Sequence, residues 1–179
     1  MKPRPLIAVL ALLCLPVCLG QNCTPAPAPA GVPTILPQGV YSGLVTTTVH
    51  RLVGDNPQST TTTTDNAARA FGPKGEPLST LQKPLYVGYQ ENQTLGGMQI
   101  TLTVTAIEPA AGGVTVLYTA DLTVVTATGT FDMTGSGRAT FILASAGSLD
   151  YHMTLDVGYT GPAGATVALQ IDAAGRLYR

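Results

Sequence analysis

The chain has 179 residues, of which only 11% are charged, a formal net charge of −1 at pH 7, and no tryptophan. Scattered Lys and Arg at this low charge offer no basic footprint for nucleic acid or for an anionic membrane surface. Many Thr and Val with few Glu and Lys disfavour helices and favour strands. We therefore expect an all-β protein of one domain that does not bind nucleic acid.

Residues 1–20 have the pattern of a signal peptide. Lys2 and Arg4 form a positive start, and the apolar run from Leu6 to Gly20 leads to a small residue before Gln21. An apolar run of about 15 residues that ends near a proline is too short to span a bilayer as a helix. We expect a secreted or periplasmic protein with no transmembrane segment in the mature chain.

Removal of that peptide would also remove Cys14 and Cys18 and leave Cys23 as the single cysteine of the mature chain. One cysteine makes no internal disulfide, and the chain lacks the Cys/His spacing of a metal site. Three interpretations of Cys23 remain open: an inert thiol, an intermolecular disulfide, or a lipid anchor. Bacterial lipoproteins carry a Leu-small-small-Cys pattern, and the Gly-Gln-Asn before Cys23 matches it poorly.

Residues 21–38 predict a Pro/Ala-rich linker. The run Thr24-Pro-Ala-Pro-Ala-Pro-Ala30 repeats proline, which fixes φ and removes amide donors. Such a segment is extended and semi-rigid rather than part of a sheet. The folded domain is predicted at residues 39–179.

The first half of that domain alternates unevenly. Residues 41–49 carry mostly apolar residues at odd positions, which predicts a strand with one dry face. Residues 59–71 suit a strand by propensity, but their five consecutive threonines do not specify which face is inward. A short strand is predicted at residues 85–89, followed by a loop at residues 91–97.

The second half alternates more regularly. Even positions are apolar in residues 98–106 and 114–124, which predicts a hairpin around a turn at residues 108–113. Odd positions are apolar in residues 131–143, 149–159 and 167–171. About eight strands joined by short turns favour an antiparallel up-and-down meander. We expect it to close into a barrel, which removes exposed edges, with a two-sheet β-sandwich as the alternative.

The start Gly39-Val-Tyr-Ser-Gly43 resembles the opening strand of calycin-like barrels, the lipocalin superfamily and its small bacterial relatives. The resemblance covers these five residues and the strand count. It implies an eight-stranded meander barrel. Lipocalins carry Trp where this chain has Tyr41. They also have a helix near the C-terminus, and this chain shows no helical pattern there.

Catalytic candidates are few. Ser148, Asp150 and His152 share one face of a strand at a spacing of about 6.5–7 Å per step, whereas a working triad needs hydrogen-bond contact between its members. We interpret them as a solvated polar row. Asp132 and Asp156 join Asp150 and His152 in an outward acidic row that does not converge as a calcium site requires. We predict no enzyme activity, no catalytic residue, no metal site and no cofactor.

The predicted function is non-catalytic binding. Eight strands enclose an interior that side chains fill or that holds one small apolar ligand. Glycines on the inward face either open space or allow another strand to approach closely. The alternative is a structural or surface-interaction domain that binds an unknown protein through its Thr-rich outer face. The oligomeric state is not predicted. The candidate ligand-binding residues of the interior are Tyr41, Gly43, Tyr118, Met133, Gly135, Gly137, Tyr151 and Met153.

Overall fold

The computed structural model describes residues 35–95, 98–126, 129–161, 164 and 166–179. The predicted signal peptide, most of the linker and Cys23 lie outside these residues. Within them, no helix is long and apolar enough to cross a membrane. The described elements are the strands β1 (Gly39–Val53), β2 (Asn56–Phe71), β3 (Leu78–Thr80), β4 (Lys83–Pro84), β5 (Gln90–Leu95), β6 (Met98–Ala110), β7 (Gly113–Thr126), β8 (Gly129–Ser145), β9 (Ser148–Thr160) and β10 (Thr166–Tyr178).

Eight of these strands form one antiparallel sheet in the order β2-β1-β10-β9-β8-β7-β6-β5, and β3 pairs with β4 in a separate small hairpin. The first and last long strands, β1 and β10, pair with each other. The sheet curls into an open half-barrel whose two edges are β2 and β5. The prediction of an all-β antiparallel meander is confirmed. The described strands include no ladder between β2 and β5 that would close the ring.

The alternation of the sequence decides which side chains enter the core. Leu102 on β6 is 0% exposed and Leu155 on β9 is 1% exposed, as their places in the alternating rows predict. Two-residue turns join β1 to β2 and β6 to β7, with Gly54 and Gly112 at φ of +58° and +77°. Such φ values favour glycine, and tight turns hold the paired strands in register.

Two segments before β6 differ from the prediction. Residues 85–89 form a loop instead of a strand, because Gly88 has a φ of +90° and the Tyr89 amide donates to the Tyr86 carbonyl at 3.0 Å. The predicted loop at residues 91–97 contains the edge strand β5. Its inward positions include Glu91 and Gln93, so the strand alternates without an apolar pattern.

β6 also runs past its predicted end. The register shifts between Val104 and Ala106, which leaves Thr105 without a partner on β7. Such a bulge moves the following side chains to the opposite face. As a result Ile107 packs against the core, and the strand continues to Ala110 through residues predicted as a turn.

The packed body includes residues before Gly39. Leu36 is 1% exposed, and the Tyr41 hydroxyl donates to the Pro37 carbonyl at 2.9 Å. The end of the Pro/Ala-rich segment is therefore anchored to the first strand.

Glycines on β8 allow β9 to approach. A Cβ at Gly135 would collide with the Asp156 carbonyl oxygen and lie 2.7 Å from Val157 Cα. A Cβ at Gly137 would collide with the β9 backbone in the same way. Of the two interpretations of these glycines, close approach of a neighbouring strand fits the structure, and it lets the sheet curl here.

We expect Gly135→Ala to destabilise the protein by about 1–3 kcal/mol, because the methyl group must displace the β9 backbone. Gly158→Ala on β9 is the matched control, since its Cβ would lie 3.7 Å from the nearest atom, the Val167 carbonyl oxygen. The control should change the free energy of unfolding by less than about 0.5 kcal/mol. Urea unfolding of both variants measures the difference, and equal effects would contradict the close approach.

Candidate functional site

A cleft opens where β2 and β5 face each other without a ladder. Its volume is about 330 Å³, and we call it the seam cleft. Both strands contribute consecutive residues to its walls, whereas its floor comes from the curled sheet behind them. The lining residues are Val45, Thr47, Asp65, Asn66, Ala67, Ala68, Arg69, Glu91, Asn92, Gln93, Thr94, Leu95, Phe141, Tyr151 and Leu177.

Alternation in the two edge strands places charged side chains in this cleft. On β2, Ala67 and Arg69 share the inward face with the buried Phe71. On β5, Glu91 shares it with the buried Leu95. Both strands therefore keep an apolar residue at the inward end and present polar groups along the gap.

Arg69 and Glu91 form a bidentate ion pair across the seam. Arg69 Nη1 donates to Glu91 Oε2 at 3.1 Å and Nη2 donates to Oε1 at 3.0 Å. The two side chains are only 13% and 14% exposed. Burial alone would lower the pKa of Arg69, but the hydrogen bonds and negative charge of Glu91 outweigh it and raise that pKa. Gln93 Nε2 also donates to Glu91 Oε1, at 2.8 Å.

Two tyrosines lie beside this pair. Burial raises the pKa of Tyr151 to about 12, with Arg69 lowering and Glu91 raising it. Burial also raises the pKa of Tyr118, against the opposing charge of Arg69. Both phenols therefore stay protonated at neutral pH. Glu91 also raises the pKa of Tyr118, through its charge and through a hydrogen-bond interaction with the hydroxyl, and Tyr118 is buried behind the residues that line the cleft.

A chain of aromatic rings supports the cleft from the core. Phe71 contacts Tyr41 with ring centroids 5.9 Å apart and Phe141 at 5.4 Å, and Phe141 contacts Tyr151 at 5.2 Å. The Arg69 guanidinium carbon lies 5.9 Å from the centre of the Phe141 ring. The ion pair thus rests on rigid aromatic side chains, which fix its position.

The predicted site residues do not all meet at this cleft. Tyr151 lines it, and the Tyr118 hydroxyl lies beside its ion pair. Three others are buried in the core, and the three glycines lie against neighbouring strands. The buried three are Tyr41, Met133 and Met153, and the glycines are Gly43, Gly135 and Gly137.

Sequence reasoning missed Arg69 and Glu91. The threonine run hid the register of β2, although Ala67, Arg69 and Phe71 alternate at its end. Likewise, the polar β5 was interpreted as a loop. A signal was present in both strands: an apolar residue, Phe71 or Leu95, ends each alternating segment, and a charged residue, Arg69 or Glu91, precedes it on the same face.

The outward polar rows make lateral contacts, but Ser148 is only 5% exposed, so its assignment to the solvated polar row is wrong. Ser148 bonds Ser145 at 2.7 Å between hydroxyls, Arg176 Nε donates to Asp150 at 2.7 Å, and His152 Nε2 lies 2.9 Å from Asp172. Ser148, Asp150 and His152 thus have separate partners. Asp132 accepts from the Thr123 hydroxyl at 2.8 Å. In the described ranges, no three His, Cys, Asp or Glu side chains are grouped to hold a metal ion.

Comparison with known proteins yields no significant match to a family model, to a curated protein or to a solved structure. The chemistry of the seam cleft is therefore the basis for a function. Its apolar floor, buried ion pair and polar lining residues suit a ligand that has both an apolar and a polar part.

We expect Glu91→Ala to destabilise the protein by about 3–5 kcal/mol, because it leaves the Arg69 charge buried without a partner. Replacing both Arg69 and Glu91 by Leu should recover most of that loss, since no charge is then buried. Asp150→Ala breaks an ion pair that is about half exposed and should leave the denaturation midpoint nearly unchanged. Urea unfolding compares the four proteins, and a double variant as unstable as the single one would contradict the argument.

We expect the free energy of unfolding to fall between about pH 10 and 12. Tyr151 has a higher pKa in the folded state than its ordinary 10.0, so its contribution is complete below pH 10 and is lost as pH rises through about 12. The loss from this one group is about 2–3 kcal/mol. Tyr151→Phe should flatten the decline in urea unfolding measured from pH 9 to 12. An unchanged slope in the variant would show that other groups cause it.

Proposed function

We propose that this is an exported, non-catalytic binding protein whose ligand is a small molecule with an apolar body, held in the seam cleft. The observation that carries the proposal is a cleft of about 330 Å³ that combines apolar walls with a buried ion pair. Ligand pockets of about 300–1,000 Å³ typically combine apolar walls with a few polar groups that orient the ligand. The seam cleft matches that description at the small end.

The floor supports an apolar body and the rim supports a polar end. Val45, Phe141 and Leu177 offer apolar surface, and Asp65, Asn66 and Gln93 line the same cleft with polar groups. This adds a polar anchor to the small apolar ligand predicted from the sequence.

The ion pair supports binding rather than catalysis. Both carboxylate oxygens of Glu91 already accept hydrogen bonds from Arg69, so this pair offers neither an unpaired base nor an unpaired acid to a substrate. Export to a secreted or periplasmic location rests on the predicted signal peptide, and a lipid anchor at Cys23 remains the alternative.

The calycin-like barrel stays part of this proposal. Closing the ring needs one further ladder, between β2 and β5. These strands run in opposite directions and meet at Arg69 and Glu91, which supports a barrel in which side chains take the place of the last ladder.

A second candidate function is surface interaction through the outer face. Outward threonines pair laterally, as Thr46 and Thr64 do at 3.2 Å between hydroxyls. At one end of this face Val40, Leu44 and Tyr178 are 49%, 62% and 58% exposed. Exposed apolar residues beside a hydroxyl-rich sheet favour contact with another protein, although they form a small area.

We expect the protein to bind an uncharged hydrophobic dye such as Nile red, and we expect Ala67→Trp to abolish the fluorescence increase by filling the cleft. Thr62→Trp on the same strand is the matched control, because Thr62 is exposed and does not line the cleft. The chain has no other Trp, so intrinsic fluorescence also reports whether each new side chain is buried.

The dye experiment separates the two candidate functions. Binding that persists in a folded Ala67→Trp variant would move the site away from the seam cleft. No dye binding by the parent protein would contradict a ligand with an apolar body and favour the outer face.

A further inference from the structure

We infer that the occupant of the seam cleft is an extended peptide segment that pairs with the open edges of β2 and β5. This replaces the small molecule proposed above by a peptide in the same cleft, and it rests on the proposed binding function of that cleft.

The shape of the cleft indicates a strand rather than a compact molecule. Its walls are the consecutive residues 65–69 of β2 and 91–95 of β5. Successive residues of a strand point to opposite faces, so a pocket inside the half-barrel would be lined by alternate residues of each edge. Because every residue of these two segments lines the cleft, the cleft follows the backbone edges of β2 and β5. Five residues of strand span about 16 Å.

The gap between the two edges is wider than the spacing of directly paired strands. The Cα traces of β2 and β5 lie more than 8 Å apart over most of their length, whereas paired neighbours lie about 4.8 Å apart. A strand that bonds both edges requires a separation of about 9.6 Å. The end strands of an eight-stranded antiparallel sheet run in opposite directions, so the peptide would be antiparallel to one and parallel to the other, as mixed sheets allow.

The two edges carry only part of the usual protection against strand addition. Proteins blunt exposed edges with proline, lysine, bulges, inward-pointing charges or a covering segment. Of the inward charges here, Arg69 and Glu91 neutralise each other at one end of the cleft. Residues 65–69 and 91–95 contain no proline or lysine, and the register shift of the β1–β2 ladder lies at the far end, between Arg51 and Leu52. Unpaired backbone groups along an edge are the means by which peptides are captured by strand addition.

The side chains around the cleft select the peptide. Inward residues would pack on Val45, Phe141 and Leu177, which favours Val or a similar side chain at alternate positions. The Arg69–Glu91 pair closes one end. Toward the other end Asp65 makes no salt bridge within the described residues, so a Lys or Arg of the peptide would complement its charge.

The test uses the capped pentapeptide acetyl-Val-Thr-Val-Thr-Lys-amide, its reversed sequence, and copies of both that are N-methylated at the two threonines. The methylated copies keep every side chain but lose backbone donors. We expect at least one parent peptide to bind, with its methylated copy at least tenfold weaker, in fluorescence anisotropy of labelled peptides with the purified protein. Nile red is measured in parallel.

Two variants locate the binding. Ala67→Lys places a charge on the inward side of the β2 edge and should abolish peptide binding, whereas Thr62→Lys, outside the cleft on the same strand, should not. Asp65→Asn should weaken the Lys peptide at least threefold and leave a norleucine counterpart unchanged. If Ala67→Lys fails to fold, the comparison of parent and methylated peptides still tests whether the peptide pairs through its backbone.

The outcomes distinguish this inference from the function on which it rests. Dye binding without peptide binding would overturn the peptide and leave a small-molecule site. Equal binding of parent and methylated peptides would overturn strand pairing. Failure of both dye and peptides to bind would overturn the proposed function as well. A tenfold loss on methylation together with loss in Ala67→Lys supports the inference.

Discussion

The bidentate ion pair between Arg69 and Glu91 holds together the two sheet edges that no described backbone ladder joins. Closing the ring would stabilise a curled antiparallel sheet, because the backbone N–H and C=O groups of both edge strands would then have hydrogen-bond partners. Here the ladders run from β2 around to β5 and stop. Two side-chain hydrogen bonds across the gap replace a row of backbone bonds, so the two edges are linked at one point and remain separate beside it.

This link is a costly way to join two strands. Removing two charges from water offsets much of their attraction, and well-packed apolar residues often stabilise a fold as well or better. The surroundings of the pair are well suited to that replacement, since Phe71, Phe141 and Tyr151 already form an aromatic cluster. Stability alone therefore does not require a buried ion pair at this position, which agrees with the binding role proposed for the cleft.

Sequence patterns predicted the parts of the fold in which inward residues are apolar. Ile100, Leu102 and Val104 alternate with polar residues, and all three are buried as expected. The same rule failed for β5, whose inward face begins with Glu91 and Gln93, and for β2, where threonine on both faces removes the alternation. Those two strands form the candidate site. Polar side chains that line a cleft hide the very period by which a strand is recognised, so the site was the least predictable part of the sheet.

Connection length explains why the seam lies between these two strands. Every other connection between sequential strands of the sheet has five residues or fewer, and two-residue turns force the joined strands to pair. Residues 72–89, which include the β3–β4 hairpin, connect β2 to β5 and impose no such pairing. The loop-closure cost of a connection rises only slowly with its length, so this long connection tolerates a gap that a tight turn would not. β1 and β10 are not consecutive in the chain, so no turn holds them together. They nevertheless pair over most of their length, with Val49 opposite Ile171 and both side chains buried. Buried apolar side chains on both strands accompany the paired junction between β1 and β10. Arg69 and Glu91 instead occupy the facing edges of β2 and β5, the junction that has no ladder.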